Sequence, residues 1–385
     1  MSKKLICDDT RTLTHEQWLK IRKQGIGGSD VAAVLGISPW TSPFMLYQDK
    51  TSDEASSDGE TVAMKAGKSL EGLVIRLLER KFGVPVTPAH EMACVAEKPF
   101  VMGNPDAFMM CVNGKKRIVE IKTVNARIAD DEWGEGRVPP HYETQVRQYM
   151  AVYDDECDDT AYIVALPISE GERAMAAMFM EFSENLTENN LDLFEEQFGS
   201  KLIIRTLERD KEYEQALIEA ETEFWEQHIT AKVPPKADSP LDLDFMLRRA
   251  KPTKDEIELG EDAAELFEKF TGLDEQRKAA ESQAKKIKQQ ADSVKAEILS
   301  RLYSSLDGSC AKRGVCGDYE ISYRKGSSRT SISNDSLKLL NTKYPDIYDQ
   351  LSNEGIIATK DSAPSITIKK AKKPKTKEVS VCGAV

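Results

Sequence analysis

The stretch that most constrains how this chain can fold is residues 103–123, Gly-Asn-Pro-Asp-Ala-Phe-Met-Met-Cys-Val-Asn-Gly-Lys-Lys-Arg-Ile-Val-Glu-Ile-Lys-Thr. Two apolar runs flank Asn113-Gly114. That dipeptide accepts the positive φ angles of a tight turn, so the stretch predicts a β-hairpin. The second run alternates, with Ile118, Glu120 and Lys122 on one face and Val119, Ile121 and Thr123 on the other. A carboxylate and an ammonium thus share one face of an apolar strand, just after a loop that carries Asp106. Burying charge is costly unless the charges pair or hold a metal. Two readings are open: a surface hairpin with one salt bridge, or a metal site of Asp106 and Glu120 with Lys122 beside it.

The segments on either side add polar groups in patterned places. Thr14-His15-Glu16-Gln17 is a capping-box pattern, followed by Trp18 and Arg22 at helical spacing. Gly25-Ile26-Gly27-Gly28-Ser29-Asp30 breaks that helix, and Ser29 or Asp30 would cap a second one, Val31 to Leu35, ending at Gly36. Such a corner either binds an anion, with Arg22 and Ser29 as added donors, or uses its glycines for close packing. Residues 65–82 form a helix with an apolar stripe of Leu70, Val74, Leu77 and Leu78. Glu71 lies beside the stripe, as a surface carboxylate or as one that reaches a metal. Residues 141–153 form another helix, in which Gln145 and Tyr149 share a face that looks into a site. The long stretch at 124–140 reads as a substrate-facing loop, where Arg127 and Arg137 could meet phosphates.

Composition narrows the class. The chain has 385 residues with a net charge of -12, which argues against a surface coated by nucleic acid but leaves room for an enzyme with a focused basic channel. No apolar run reaches the roughly 18 residues of a membrane span, and Met-Ser-Lys-Lys-Leu-Ile-Cys lacks a signal-peptide core. The seven cysteines form no C-x-x-C pair, so reduced thiols in a cytoplasmic protein are expected.

Taken in order, W-x-x-x-R then G-I-G-G-S-D, G-x-x-L-E-G, N-P-D, V-E-I-K-T and Q-x-x-x-Y resemble the YqaJ-like viral recombinase family, relatives of the lambda-type phage exonuclease, over roughly residues 12–230. The resemblance implies an α/β (α+β) PD-(D/E)XK nuclease core, with a central mixed sheet flanked by helices. It implies Glu71, Asp106 and Glu120 as metal-binding acids, Lys122 at the attacking water and Gln145 beside the site. Arg22 and Ser29 match the part of the pattern that grips the 5′-phosphate of the cut strand. Asn104 stands where some relatives carry Ser, and Ala107 where many carry Gly. Asn104 can still donate to a phosphate; Arg127 is a loose match to a family arginine, and Tyr149 joins this DNA-binding set. Hard oxygen ligands suit Mg²⁺, with Mn²⁺ as a substitute, and a two-metal site would draw on Glu71, Asp106, Glu120 and the carbonyl of Ile121.

The implied function is a Mg²⁺-dependent 5′-to-3′ exonuclease on double-stranded DNA ends, leaving 3′ single strands for recombination by annealing. Its implied partners are a single-strand annealing protein and further copies in a ring, with no membrane, in the cytoplasm of a phage-bearing bacterial host. The alternatives are an endonuclease on the same core, cutting internal or branched sites, or a non-catalytic recombination scaffold. The nuclease domain is expected over residues 1–232, as strands, helices and a long amphipathic helix at 200–230. A linker at 233–253 would lead to a mainly helical appendage: a helical or coiled-coil segment at 254–306, a hairpin-plus-helix region at 307–368 and a basic disordered tail at 369–385.

Overall fold

The computed structural model describes residues 2–52, 62–169, 171–172, 188–249, 260–304, 308–324, 326, 328–330, 334–353, 359–361 and 365–370. They fall into two units, Met1–Thr253 and Lys254–Val385. In the first, strand β1 (Lys3–Cys7) precedes helices α1 (His15–Arg22), α2 (Gly28–Val34), α3 (Pro43–Thr51) and α4 (Val62–Phe82). Strands β2 (Val86–Pro88), β3 (Met92–Val95), β4 (Lys98–Gly103), β5 (Ala107–Met110) and β6 (Lys116–Asn125) follow. Then come α5 (Ala129–Trp133), α6 (Pro140–Val152), β7 (Thr160–Ile168), α7 (Glu188–Phe198), β8 (Ile203–Glu208), α8 (Lys211–Phe224) and α9 (Pro240–Arg249).

Five strands form a mixed sheet in the order β2-β5-β6-β7-β8, in which only β6 and β7 run parallel. A parallel neighbour requires a crossover, and α5 and α6 provide it. The central mixed sheet with flanking helices agrees with the expected core. A second sheet, β1-β3-β4, stands beside it. The alternation in β6 is realised: Ile118 and Val124 enter one core with Val146 and Met150 of α6, while Val119 and Ile121 enter another with Leu70, Leu73 and Leu77 of α4. Glu120 is therefore carried on the α6 side of the sheet.

The hairpin forms, but not with a two-residue turn. Gly114 alone takes positive φ (79°), and the Cys111 N–H donates to the Lys115 carbonyl at 2.9 Å, which leaves three residues in the loop. Helix α1 has the expected Thr14–Gln17 capping box. Helix α2 starts earlier than expected, at Gly28. Its N-cap is Gly27, and Asp30 reaches back to the Gly27 N–H at 3.0 Å. The 124–140 stretch contains α5. Residues 175–182, whose sequence also reads as a strand, lie outside the described residues.

Two expectations are corrected. Residues 203–208 are a strand, because Ile203, Ile204 and Leu207 pair with β7 before the amphipathic helix begins at Lys211. The stretch read as a linker holds α9, where the buried Asp242 carboxylate accepts from the Ser42 hydroxyl of the α3 N-cap, from Ser239 Oγ at 2.7 Å and from two backbone N–H groups.

In the second unit, Asp262–Ser300 is one continuous helix, α10. Strands β9 (Arg313–Cys316) and β10 (Tyr319–Arg324) form the expected hairpin, and β13 (Ser365–Lys370) adds a third strand along β10. Short strands β11 (Ser328–Thr330) and β12 (Thr359–Asp361) pair, and α11 (Asn334–Lys343) and α12 (Pro345–Asn353) lie between them in the chain. The basic tail beyond Lys370 lies outside the described residues. No described helix is long and apolar enough to cross a membrane, and the six described cysteines are free thiols.

Candidate active site

The centre of the site is the Glu120 carboxylate, 1 % exposed in the middle of β6. Its Oε1 accepts from Lys122 Nζ at 2.5 Å and from Gln145 Nε2 at 2.6 Å. Its Oε2 is buried with no hydrogen-bond partner. Strand alternation brings Lys122 to the same side as Glu120, and the first turns of α6 bring Gln145 over it. Asp106, at the end of the Asn104-Pro105 approach to β5, accepts from the Ile121 N–H at 2.7 Å. Glu71 comes from the partly exposed flank of α4.

Burial raises the pKa of all three acids, and the Asp106 charge adds to it at both glutamates. Burial and the Asp106 charge push Glu120 up to about 8, and the same two causes push Glu71 up to about 7. Asp106 is raised by burial, against the pull of Lys122 and the Ile121 N–H. Burial opposes the Lys122 charge, yet Glu120 and Asp106 hold its pKa above the ordinary value, so it is an ammonium at neutral pH. Among the described residues no three acidic, imidazole or thiol groups converge tightly enough to enclose an ion as they stand. The chemistry of the donors nevertheless suits a hard cation: three carboxylates, one carrying a buried oxygen that nothing satisfies.

The second half of the site is a cavity of about 60 Å³ lined by Trp18, Arg22, Ser29, Asn104 and Tyr149, among others. The i, i+4 spacing of Trp18 and Arg22 puts the guanidinium over the indole ring, 5.0 Å from its centroid. Arg22 donates to Ser29 Oγ at 2.6 Å and to Asp30 at 3.1 Å. Lys50 donates to the other Asp30 oxygen at 2.8 Å. Burial works against the charge of Asp30, but Lys50 and Arg22 outweigh it and hold its pKa well below the usual carboxylate range. The glycines of this corner serve close packing. A Cβ on Gly28 would stand 2.4 Å from Tyr149 Cε1, and one on Gly25 2.6 Å from the Phe100 carbonyl.

Tyr149 joins the two halves. It is 4 % exposed, faces the cavity, and its hydroxyl accepts from Gln145 at 2.9 Å. One polar chain therefore runs Lys122–Glu120–Gln145–Tyr149 and ends at the cavity wall. Asn104 reaches that wall, although its amide already donates to the Glu91 carbonyl at 2.9 Å. Arg127 is exposed on the turn after β6 and does not line the cavity.

Aromatic residues beside Lys122 complete the surroundings, and no sequence pattern signals that they would meet. Tyr142 lies under Lys122 Nζ, 5.3 Å from its ring centroid. Trp40, 59 % exposed in the turn between α2 and α3, meets the His141 ring edge-on at 4.9 Å. Burial and the Lys122 charge depress the His141 pKa, so its ring is neutral at pH 7.

The chain is 27% identical over 226 residues to the uncharacterized protein YqaJ of Bacillus subtilis (strain 168), an alignment that covers 59% of this chain and 60% of that protein. Among solved structures it is similar to the alkaline exonuclease LHK-Exo of Laribacter hongkongensis, with TM-score 0.40 and 16% identity over 61% of this chain and 97% of that one. It is also similar to a phage related exonuclease of Haemophilus somnus 129PT, with TM-score 0.35 and 15% identity over 54% and 96% of the two chains. The segment that holds Arg22, Ser29, Glu71, Asp106, Glu120, Lys122, Gln145 and Tyr149 is residues 17–160, and it is this segment that matches the YqaJ-like viral recombinase domain family.

Proposed function

We propose that the chain is a divalent-metal-dependent exonuclease that degrades one strand of duplex DNA from a 5′-phosphorylated end. The observation that carries this reading is the buried Glu120 carboxylate, shared by Lys122 and Gln145 and connected through Tyr149 to a cavity walled by Arg22 and Ser29. Glu71, Asp106, Glu120 and the Ile121 carbonyl would hold Mg²⁺. The cation supplies activation of water and neutralisation of the departing oxygen. Lys122, fixed as an ammonium, orients and polarises the attacking water. Gln145 holds the Glu120 carboxylate in place, and the unpartnered Oε2 would be the oxygen left for the cation. Arg22 offers a guanidinium, and Ser29 a hydroxyl, to the terminal phosphate. The exposed ring of Trp40 gives the end of the duplex a surface to stack on.

The 3′ single strands left behind are the substrate class of an annealing protein, which makes such a protein, and recombination by annealing, the natural partner and setting. Mn²⁺ is expected to substitute for Mg²⁺. Copies arranged as a ring around the duplex, in the cytoplasm of a phage-bearing host, fit the same reading.

The test is digestion with Mg²⁺ of linear duplex carrying 5′-phosphate or 5′-hydroxyl ends, beside covalently closed circles. Linear DNA alone is lost, faster with phosphate. Lys122→Ala lowers the rate at least about a hundredfold, as loss of a charge that stabilises the transition state does. Arg22→Ala removes the preference for phosphate while cleavage of hydroxyl ends continues. Nicking of closed circles would convert the reading to an endonuclease. No cleavage of any substrate would remove it.

A further inference from the structure

Helix α10 carries an unused seam. Leu266, Phe270, Leu273, Arg277, Ala280, Ala284, Ile287, Ala291, Val294 and Ile298 recur at alternating steps of four and three residues, and only Arg277 interrupts the apolar or small series. That is the 3.5-residue period of a left-handed coiled coil, in which Phe270, Arg277, Ala284, Ala291 and Ile298 take a positions and Leu266, Leu273, Ala280, Ile287 and Val294 take d positions. A lone helix has no use for such a series. Yet Leu266, Phe270, Leu273, Ile287 and Val294 are each between 54% and 66% exposed.

We infer that α10 pairs with the α10 of a second copy of this chain as an antiparallel two-stranded coiled coil. The flanking charges select this occupant and this direction. From Leu273 onward, the e residues beside the d positions run Asp274, Glu281, Lys288, Lys295, acidic in the first half and basic in the second. Antiparallel strands bring e against e. When Ala284 of one copy packs on Ile287 of the other, Glu281 meets Lys288 and Asp274 meets Lys295, and two-fold symmetry doubles both pairs. The same register places Ile298 on Leu273 and Ala291 on Ala280. On the opposite flank Gln283 meets Gln290, which is neutral. Arg277 then faces Val294 of the other copy, and its charge is braced within its own helix by Asp274 at 2.6 Å and Glu281 at 2.7 Å. A parallel pair would set Arg277 against Arg277 and would offer the e charges mostly glutamines: Gln276, Gln283 and Gln290 at g. The inference stands whether or not the chain cuts DNA.

The experiment is the mass in solution of the full chain by light scattering or sedimentation, for wild type, for Lys288→Glu/Lys295→Glu and for Asp274→Lys/Glu281→Lys. Circular dichroism confirms that helix content is retained. The wild type is expected at twice the mass of either variant, one chain being 43.0 kDa. Each variant alone carries four like charges along e and repels its copy; mixing the two variants restores the doubled mass. Ile287→Asp, an exposed change that cannot unfold the rest of the chain, is expected to halve the mass as well. A mass unchanged across all variants overturns the inference. A mass that falls with Ile287→Asp but ignores the charge changes replaces the antiparallel pair with a parallel one and overturns the direction.

Discussion

At the scale of single residues, the site stores protons where a cation would sit. Glu71 and Glu120 titrate at about 7 and about 8, well above an ordinary glutamate at about 4.5. The folded chain therefore binds more protons than the unfolded chain between those values, and its stability falls as pH rises through 7 and 8. With divalent cations chelated, the melting temperature is expected to fall between pH 6 and 9, and Glu120→Gln to flatten that slope. Adding Mg²⁺ is expected to stabilise the chain more at pH 8.5 than at pH 6, because the ion displaces protons. A wild-type melting temperature independent of pH in chelator would sink this account. Gly28→Ala, which forces a methyl group against the Tyr149 ring, is expected to cost about 1–3 kcal/mol in urea unfolding. Glu120 and Lys122 were legible in the sequence because strand alternation fixes which side chains share a face. Trp40 and His141 were not, since residues a hundred positions apart meet only through tertiary packing, and neither belongs to a periodic pattern. Asn104 was legible as a neighbour of the site, but not the Glu91 carbonyl that takes up its amide.

At the scale of elements, the long helices and the hairpin could be read from period and caps, and the errors fell where two signals overlap. Ile203-Ile204-Arg205-Thr206-Leu207 is a short β-branched run directly before a charged helical stretch, and an unbroken helical reading absorbed it. In the folded chain the run pairs with β7 because that strand presents an open edge. Helix α9 escaped notice for a related reason: its anchor is Asp242, a polar residue whose partners in α3 lie two hundred positions earlier. Asp242→Ala leaves the hydroxyls of Ser42 and Ser239 without their acceptor, and a loss of about 1–3 kcal/mol is expected in chemical denaturation. Asp242→Asn should recover part of it. In the turn between α2 and α3, Trp40→Ala is expected to weaken binding to duplex ends by about 1–3 kcal/mol, the value of one stacking platform, with the melting temperature held within a degree. Equal binding by both proteins would remove Trp40 from the DNA surface.

At the scale of the whole molecule, a net charge of -12 sets how the chain must meet a polyanion. On the proposed function, contact would be made through a few cations such as Arg22. The log–log slope of DNA affinity against salt is therefore expected to be shallow, about -2 to -4, corresponding to as few phosphates; a slope steeper than about -6 would mean a broad basic surface that this charge balance contradicts. On the proposed function, the two-part design of the site would also set what leaves it. Gln145, which donates to the Glu120 carboxylate, and Tyr149, which walls the cavity, are one helical turn apart, about 6 Å along α6. A helix turn does not stretch. If the terminal phosphate seats beside Arg22, the distance from that seat to the point of scission is a fixed gauge, and every fragment released has the same length whatever its base sequence.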